Sequence, residues 1–135
     1  MYNWDKSLET GNQMIDEQHK QLVVALNNFL NARTEKKSNA ELKKSLDFLN
    51  DYTIKHFFEE ERLQKKHQYP DYENHRNLHE GLKKVVRDLQ TQLIMKGPSD
   101  ALFDDVQAKV GDWLIAHIKN QDAKIGAYMK SKGIV

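Results

Sequence analysis

Residues 42–63 read LKKSLDFLNDYTIKHFFEEERL, and this stretch decides the fold. Its apolar positions recur every three or four residues, which is typical of a helix face that is buried in a bundle. The face comprises Leu42, Leu46, Leu49, Thr53, His56, Glu60 and Leu63. We therefore predict a long helix whose buried face changes from leucine to histidine and glutamate along its length.

Three other segments show the same spacing, and each of them also carries histidine on its apolar face. The faces comprise Ile15, His19, Leu22, Leu26 and Phe29 in the first segment, His75, His79, Leu82, Val86, Leu89 and Leu93 in the third, and Phe103, Val106, Val110, Trp113 and His117 in the fourth. Turn signals near 34–37, 69–71 and 96–99 separate the segments. Ser38 and Glu41 have the spacing of a capping box at the start of the second helix.

Short connections between long helices favour antiparallel neighbours. We predict an all-α, antiparallel up-down-up-down four-helix bundle, with helices at about 12–33, 38–66, 71–95 and 99–130. Residues 1–11 are expected to form an N-terminal arm, and residues 1–135 to form a single domain.

The composition excludes several classes of function. Charged residues make up 30% of the 135-residue chain but nearly cancel, so we expect neither nucleic acid nor a membrane surface as a partner. The chain has no cysteine, which rules out disulfides, zinc–thiolate sites and iron–sulfur clusters. Neither a signal-peptide core nor an apolar run long enough to span a bilayer stands out. We therefore expect a cytoplasmic, monomeric protein.

Five of the six histidines lie on the four buried faces, together with Glu60. A lone buried histidine is more often a hydrogen-bonded core residue, but so many unsatisfied polar groups in one core would be strongly unfavourable. Counted from the predicted turns at 1.5 Å per residue, His19 and His56 lie within about 6 Å of one level, and His79 and His117 match as closely. The histidines therefore form one layer, which predicts a metal site.

Asp122 is a further candidate ligand. It follows His117 by five residues, which an ideal α-helix would splay by about 140°. The apolar pattern resumes at Ile125 and Met129, shifted by one residue. One extra residue in that turn would bring Asp122 inward, and such π-bulges recur at functional sites. We predict a π-bulge between His117 and Asp122.

The number of candidate ligands indicates more than one ion. Five histidines and two carboxylates exceed the needs of one tetrahedral zinc. Two six-coordinate irons would be filled by the histidines, two bridging carboxylates and one bridging oxygen, with a single position left open. A centre of this kind would bind one small ligand.

Several motifs occur in a fixed order along the chain. A histidine follows Ile-Asp-Glu-Gln at 15–18, and then come His-Phe-x-x-Glu-Glu at 56–61, Tyr-Pro at 69–70, His-x-x-x-His at 75–79 and Trp-x-x-x-His-Ile-x-x-x-Asp at 113–122. In this order the chain resembles the hemerythrin family, and within it the single-domain bacteriohemerythrins. The resemblance covers nearly the whole chain and fills all of the family's ligand positions.

The resemblance implies a non-haem di-iron centre with an oxo or hydroxo bridge. The implied ligands are His75, His79 and His117 for one iron, His19 and His56 for the other, and Glu60 and Asp122 as bridging carboxylates. Dioxygen would bind at the open position of the two-histidine iron. The apolar lining of the oxygen pocket would comprise Leu22, Phe57, Trp113, Leu114, Ile118 and Ile125. The chain departs from the family pattern at Asn12, Gln13 and Gln64, where apolar residues are common, which bears on access to the site.

The expected function is reversible binding of dioxygen for storage, delivery or buffering. Charge counting supports this expectation, because binding and release would leave the buried net charge unchanged. The oxidised centre would carry more positive charge, so we expect it to bind small anions. A histidine-rich ligand set also favours oxygen carriage over oxygen activation, so we expect an oxygen-binding protein and not an enzyme. A peroxidase-like side activity is compatible with the site.

Two other functions remain open at this point. One is a di-iron enzyme that reduces peroxide or nitric oxide or that oxidises ferrous iron, and the other is an oxygen or redox sensor that acts through a partner. His67 lies off the buried faces, and we expect it to be solvated. For Glu59 and Glu61 we favour surface charge over a hydrogen bond behind the ligands.

Overall fold

The structure is a computed structural model and describes residues 2–134. Four long helices account for most of these residues, and no strand occurs among them. Helix α1 spans Gln13–Glu35, α2 spans Asn39–Lys66 and α3 spans Tyr72–Lys96. Helix α4 covers residues 100–131 in five consecutive segments: Asp100–Val106, Gln107–Asp112, Trp113–His117, Ile118–Asp122 and Ala123–Ser131. The all-α prediction is confirmed, and none of these helices is long and apolar enough to cross a membrane.

The helix ends follow local capping chemistry. The side chain of Asn12 accepts a hydrogen bond from the Ile15 backbone N–H, which begins α1. Ser38 and Glu41 form the predicted capping box at the start of α2. Lys36 adopts the left-handed conformation with φ of 52°, which ends α1 before the connection to α2.

Adjacent helices run antiparallel where they contact each other: as the residue number rises along one helix, the number of the contacting residue on the other helix falls. Helix α2 contacts α3 through Asp47 and Gln90 and, nearer its other end, through Glu61 and His79. Contacts between α1 and α4 follow the same rule. Antiparallel neighbours produce this pairing, and the complete up-down-up-down order stays a prediction.

Helix α4 contains two π-helical segments. The second, Ile118–Asp122, is the π-bulge that the spacing of His117 and Asp122 predicts, and this prediction is confirmed. The first, Gln107–Asp112, has no counterpart in the predictions. A π-helical segment accommodates extra residues in a turn, and at Ile118–Asp122 this shifts the buried positions by one residue.

The N-terminal arm packs against the helices; Met1, which belongs to the predicted arm, lies outside the described residues. A short 3-10 turn at Lys6–Leu8 contacts the π-helical segment that carries Asp122. The Tyr2 ring lies against Gly111, and the Thr10 carbonyl lies against Gly126, so closely that a Cβ atom at either glycine would overlap the arm. Both glycines therefore permit the arm to lie flat on α4.

Within residues 2–134, the buried apolar side chains form two clusters. The larger cluster fills most of the bundle and includes Leu26, Phe29, Leu46 and Val86. The smaller cluster comprises Ile15, Tyr69, Ile125 and Met129. In α1, Ile15 precedes His19, whereas residues of the larger cluster follow it, so the two clusters lie on opposite sides of the histidine layer. The polar layer thus separates a small apolar cap from the main core.

Candidate metal centre

The seven predicted ligands meet in the interior of the bundle. Helix α1 provides His19, α2 provides His56 and Glu60, α3 provides His75 and His79, and α4 provides His117 and Asp122. None of these residues is more than 4% exposed. Side chains four residues apart share one helix face, so α2 and α3 each direct two donor groups into the layer.

Two overlapping groups of side chains could each hold a metal ion, with ligand atoms that lie within 4.8 Å of one another. The first group comprises Glu60, His75, His79, His117 and Asp122. The second group comprises His19, His56, Glu60 and Asp122. Both carboxylates belong to both groups, so the histidines divide into a set of three and a set of two.

Glu60 directs one carboxylate oxygen toward each set of histidines. Its Oε1 lies 2.8 Å from His75 Nε2 and 3.2 Å from His79 Nε2. Its Oε2 lies 3.2 Å from His56 Nε2 and 3.6 Å from His19 Nε2. A carboxylate placed in this way can bridge two metal ions.

Asp122 has the same arrangement from the opposite side of the layer. Its Oδ1 lies 2.9 Å from His75 Nε2 and 3.2 Å from His117 Nε2. Its Oδ2 lies 2.9 Å from His19 Nε2. The π-helical segment that ends at Asp122 brings this carboxylate to the interior, and the layer therefore contains two carboxylates in bridging positions.

The donor atoms fit bound cations better than they fit one another. His19 Nε2, His56 Nε2, Glu60 Oε2 and Asp122 Oδ1 are buried and have no hydrogen-bond partner among residues 2–134. In the three-histidine set, the Nε2 atom of His117 lies 3.1 Å and 3.2 Å from those of its two neighbours. Nitrogen lone pairs converge in this way on a metal ion, and imidazole and carboxylate donors suit iron and other first-row metals.

The electrostatics of the layer favour positive charge at its centre. Burial alone would raise the pKa of Glu60, but the surrounding histidines outweigh burial and hold its pKa well below the ordinary value. The pKa of Asp122 is lowered as well, against burial and the nearby Glu60 charge, by its short contacts with His117, His19 and His75. Both groups therefore keep their negative charge in the interior.

The histidines respond differently to this environment. Burial acts to lower the pKa of His19 and of His75, but the short contacts with the Asp122 and Glu60 carboxylates raise both pKa values to about 9. Burial dominates at His117 and lowers its pKa. Protons therefore compete with metal ions for part of the layer, and metal binding must release them.

The predicted pocket residues lie on both sides of the layer. Phe57 stacks on the His79 ring with centroids 3.7 Å apart, and Trp113 stacks on the His117 ring with centroids 4.5 Å apart. Leu22, Phe57, Leu114 and Ile118 belong to the larger apolar cluster, and Trp113 packs against it. Ile125 belongs to the smaller cluster, so the structure does not bring it together with the other five.

Glu61, Gln18 and Glu59 form hydrogen bonds on the outer side of the ligand layer. Such contacts were not favoured from the sequence alone. Glu61 Oε2 lies 2.8 Å from His79 Nδ1. Gln18 Oε1 lies 2.7 Å from His56 Nδ1, and the Gln18 amide nitrogen donates to Glu59. Assigning surface charge to the two glutamates was therefore wrong. The matched levels of α1 and α2 place Gln18, which directly precedes His19, at the level of His56, but they do not determine the direction of its side chain.

The remaining polar candidates lie elsewhere. His67 belongs to neither ligand group and is half-buried at the end of α2, where its carbonyl accepts a hydrogen bond from Tyr128. Asn12 serves as the cap of α1, and Gln13 is exposed. Gln64 is fully buried.

The chain is similar to a known family over most of its length. The family described as Hemerythrin HHE cation binding domain matches residues 10–128. A bacteriohemerythrin of Pseudomonas aeruginosa is 31% identical over 120 residues, which cover 89% of this chain and 76% of the relative. A hemerythrin-like protein of Naegleria gruberi is 36% identical over 134 residues, covering 99% and 93%. The myohemerythrin of Sipunculus nudus is 31% identical over 123 residues, covering 91% and 89%.

Proposed function

The chain belongs to the hemerythrin family, and from this premise we propose that it binds dioxygen reversibly at a non-haem di-iron centre, for storage, delivery or buffering. The family as a whole supports a di-iron, oxygen-binding protein. The observation that carries the proposal for this chain is the position of its two carboxylates. Glu60 and Asp122 each direct one oxygen to the three-histidine set and the other oxygen to the two-histidine set.

We assign the proposed ligands to two irons according to the two groups of side chains described above. His75, His79 and His117 would hold one iron, His19 and His56 the other, and Glu60 and Asp122 would bridge the two, together with an oxo or hydroxo group. When bound, the iron pair would supply two electrons to dioxygen and recover them on release. The iron held by His19 and His56 would have fewer protein donors and so would keep the position for dioxygen or, in the oxidised state, for a small anion.

Apolar side chains on one side of the layer would protect this position. Leu22, Phe57, Leu114 and Ile118 are each at most 3% exposed and line the main core next to the ligands. They exclude water and supply no proton, which slows irreversible oxidation of the iron. Apart from Tyr69, whose hydroxyl keeps its proton because burial raises its pKa, the buried titratable groups of residues 2–134 are the seven proposed ligands. This supports carriage over enzymatic turnover, because turnover requires a side chain that delivers protons.

An optical titration of the anaerobically reduced protein with dioxygen tests the proposal. We expect an absorption band that appears on oxygenation and vanishes on deoxygenation over repeated cycles. One-way conversion to the oxidised state, with steady consumption of peroxide or nitric oxide when either is then added, would overturn reversible binding in favour of an enzyme.

The metal assignment has a separate test. We expect two irons per chain by elemental analysis, and at most one in an Asp122→Ala variant, because loss of one bridging carboxylate leaves both positions short of a donor. Asp105→Ala is the matched control, since Asp105 lies on the same helix but pairs with Lys109 at the surface. A wild-type protein that takes up one zinc ion and no iron under reducing conditions would contradict the di-iron centre.

A further inference from the structure

His79 and His56 each have a defined partner on the side of the ring that faces away from the ligand layer. The Nε2 atom of each ring lies 3.2 Å from a Glu60 oxygen, so Nε2 is the atom that faces the metal position. The Nδ1 atom then points outward. At His79 it meets the carboxylate of Glu61 at 2.8 Å, and at His56 it meets the amide oxygen of Gln18 at 2.7 Å.

These contacts fix which ring nitrogen carries the hydrogen. Carboxylate and amide oxygens only accept hydrogen bonds, so Nδ1 of each ring must donate. The orientation of the Gln18 amide is determined at its other end as well, because its nitrogen donates to the Glu59 carboxylate. Each Nε2 atom therefore presents a lone pair to the layer, as a metal ligand requires.

The two partners differ in charge. Glu61 is a carboxylate, and its side chain is only 13% exposed, so solvent screens it weakly. A charged acceptor forms a stronger hydrogen bond than a neutral one and draws the Nδ1 hydrogen further from the ring. That shift makes imidazole a stronger electron donor to a bound metal. At His56 the direct hydrogen-bond partner is the neutral amide of Gln18. The carboxylate of Glu59 binds the other end of that amide.

We propose that Glu61 and Gln18 are positioning residues for His79 and His56, and that their difference in charge makes the three-histidine iron the more electron-rich of the two. The two-histidine iron is then the stronger Lewis acid, at the position proposed for dioxygen and small anions. The inference rests on the proposed ligand assignment, and it adds an outer layer that distinguishes the two irons.

Substitutions that keep a hydrogen-bond acceptor but change its charge separate this proposal from a merely structural role. Glu61→Gln keeps an acceptor for His79 and removes the charge. The double variant Gln18→Glu/Glu59→Gln moves a carboxylate into direct contact with His56 and keeps the net charge of the pair. The swap Gln13→Glu/Glu17→Gln on the exposed face of α1 is its charge-conserving control. Glu61→Leu removes the acceptor altogether.

We expect the two charge-changing variants to shift the midpoint reduction potential in opposite directions. We expect Glu61→Gln to keep two irons and to raise the midpoint reduction potential, and the double variant to lower it. Mössbauer spectra of 57Fe-loaded protein should show that each change perturbs a different iron. Azide, used as the anion probe on the oxidised protein, should bind more weakly to the double variant. Glu61→Leu should lower iron affinity by about 10- to 100-fold, with the glutamine variant as the rescue.

Exposed positions provide two matched controls. Glu80→Gln removes one negative charge next to His79 in sequence, where the carboxylate pairs with Lys83 at the surface. Gln13→Glu/Glu17→Gln moves one negative charge along the exposed face of α1 and, like the double variant, keeps the net charge. Potentials that move equally in variants and controls, or in the same direction in both outer-layer variants, would overturn the inference. If the wild type holds no iron pair, the proposed function itself fails, so the two failures are distinguishable.

Discussion

Gln64 illustrates the energetics of the site at the scale of one residue. It lies one turn beyond Glu60 on the same face of α2, and its side chain is 0% exposed. Neither its Oε1 nor its Nε2 atom has a hydrogen-bond partner among residues 2–134. A buried amide without partners costs about 1–3 kcal/mol relative to an apolar group of the same shape.

We therefore predict that Gln64→Met stabilises the metal-free protein. Methionine has nearly the volume of glutamine and fills an irregular apolar space. The free energy of unfolding, measured by urea denaturation, should rise by about 1–3 kcal/mol. Gln13→Met, at an exposed position of α1, is the control and should change little. A destabilised Gln64→Met variant would show that the amide has a partner which the substitution removes.

Single residues also show where sequence reasoning succeeds and where it stops. His56 and Glu60 stand out because they occupy positions where the helical period calls for apolar residues. Asp122 was found because the period itself shifts by one residue after His117. Gln18 and Glu61 interrupt no apolar pattern, since each lies beside a ligand on the helix. Their role depends on side-chain rotamers and on the rotation of α1 and α2 about their axes, which spacing does not determine.

At the scale of elements, α4 differs most from a regular helix. The π-helical segment at Ile118–Asp122 was predictable because it displaces a ligand and the apolar residues after it. The segment at Gln107–Asp112 left no such trace, because Val106, Val110 and Trp113 keep a spacing of four and three. The contact of the arm with α4 also escaped prediction, since it depends on two glycines whose missing side chains carry no pattern.

Substitution of those glycines measures how firmly the arm is held. At Gly126 an added Cβ would overlap the Thr10 backbone, so we predict that Gly126→Ala lowers the free energy of unfolding by about 1–3 kcal/mol. Gly111→Ala should cost less, because the Tyr2 side chain can turn aside, with loss of its hydrogen bond to Asp112. Thermal and urea unfolding measure both effects.

Gly81→Ala is the matched control for these variants. Gly81 also lies within a helix, but an added Cβ meets no atom within 4 Å. Alanine is favoured over glycine in a helix by about 1 kcal/mol, so this variant should be more stable than the wild type. If all three variants were equally stabilised, the arm would not be packed against α4 in solution.

At the scale of the whole molecule, one polar layer divides an otherwise apolar core. The sequence predicts the layer, because counting residues from the predicted turns places the histidines at matching levels along their helices. It does not predict that Ile125 lies on the other side of the layer from Leu22, Phe57 and Leu114. The apolar residues of both clusters follow the same helical spacing, so the spacing does not distinguish the two sides. The layer holds two buried carboxylates and five histidines, so the stability of the fold is linked to pH and to metal.

The pKa shifts determine the sign of this linkage in the metal-free protein. The pKa values of His19 and His75 are raised from 6.5 to about 9, so the stability that they contribute is complete below pH 6.5 and is lost as the pH rises through 9. Glu60 and Asp122 have lowered pKa values, so their contribution is complete above ordinary carboxyl values near 4 and is lost as the pH falls. His117, whose pKa is lowered, destabilises the fold as the pH falls below 6.5, so the metal-free protein should be most stable near pH 6.5.

We predict that the unfolding free energy of the metal-free protein declines between pH 6.5 and 9, whereas the iron-loaded protein shows a smaller decline. Histidines bound to iron are already neutral and have no proton to lose over this range. Urea denaturation at a series of pH values, with and without iron, measures both curves, and their difference gives the protons released on metal binding. Metal-free stability that is constant or rises between pH 6.5 and 9 would mean that the carboxylates do not hold protons on His19 and His75.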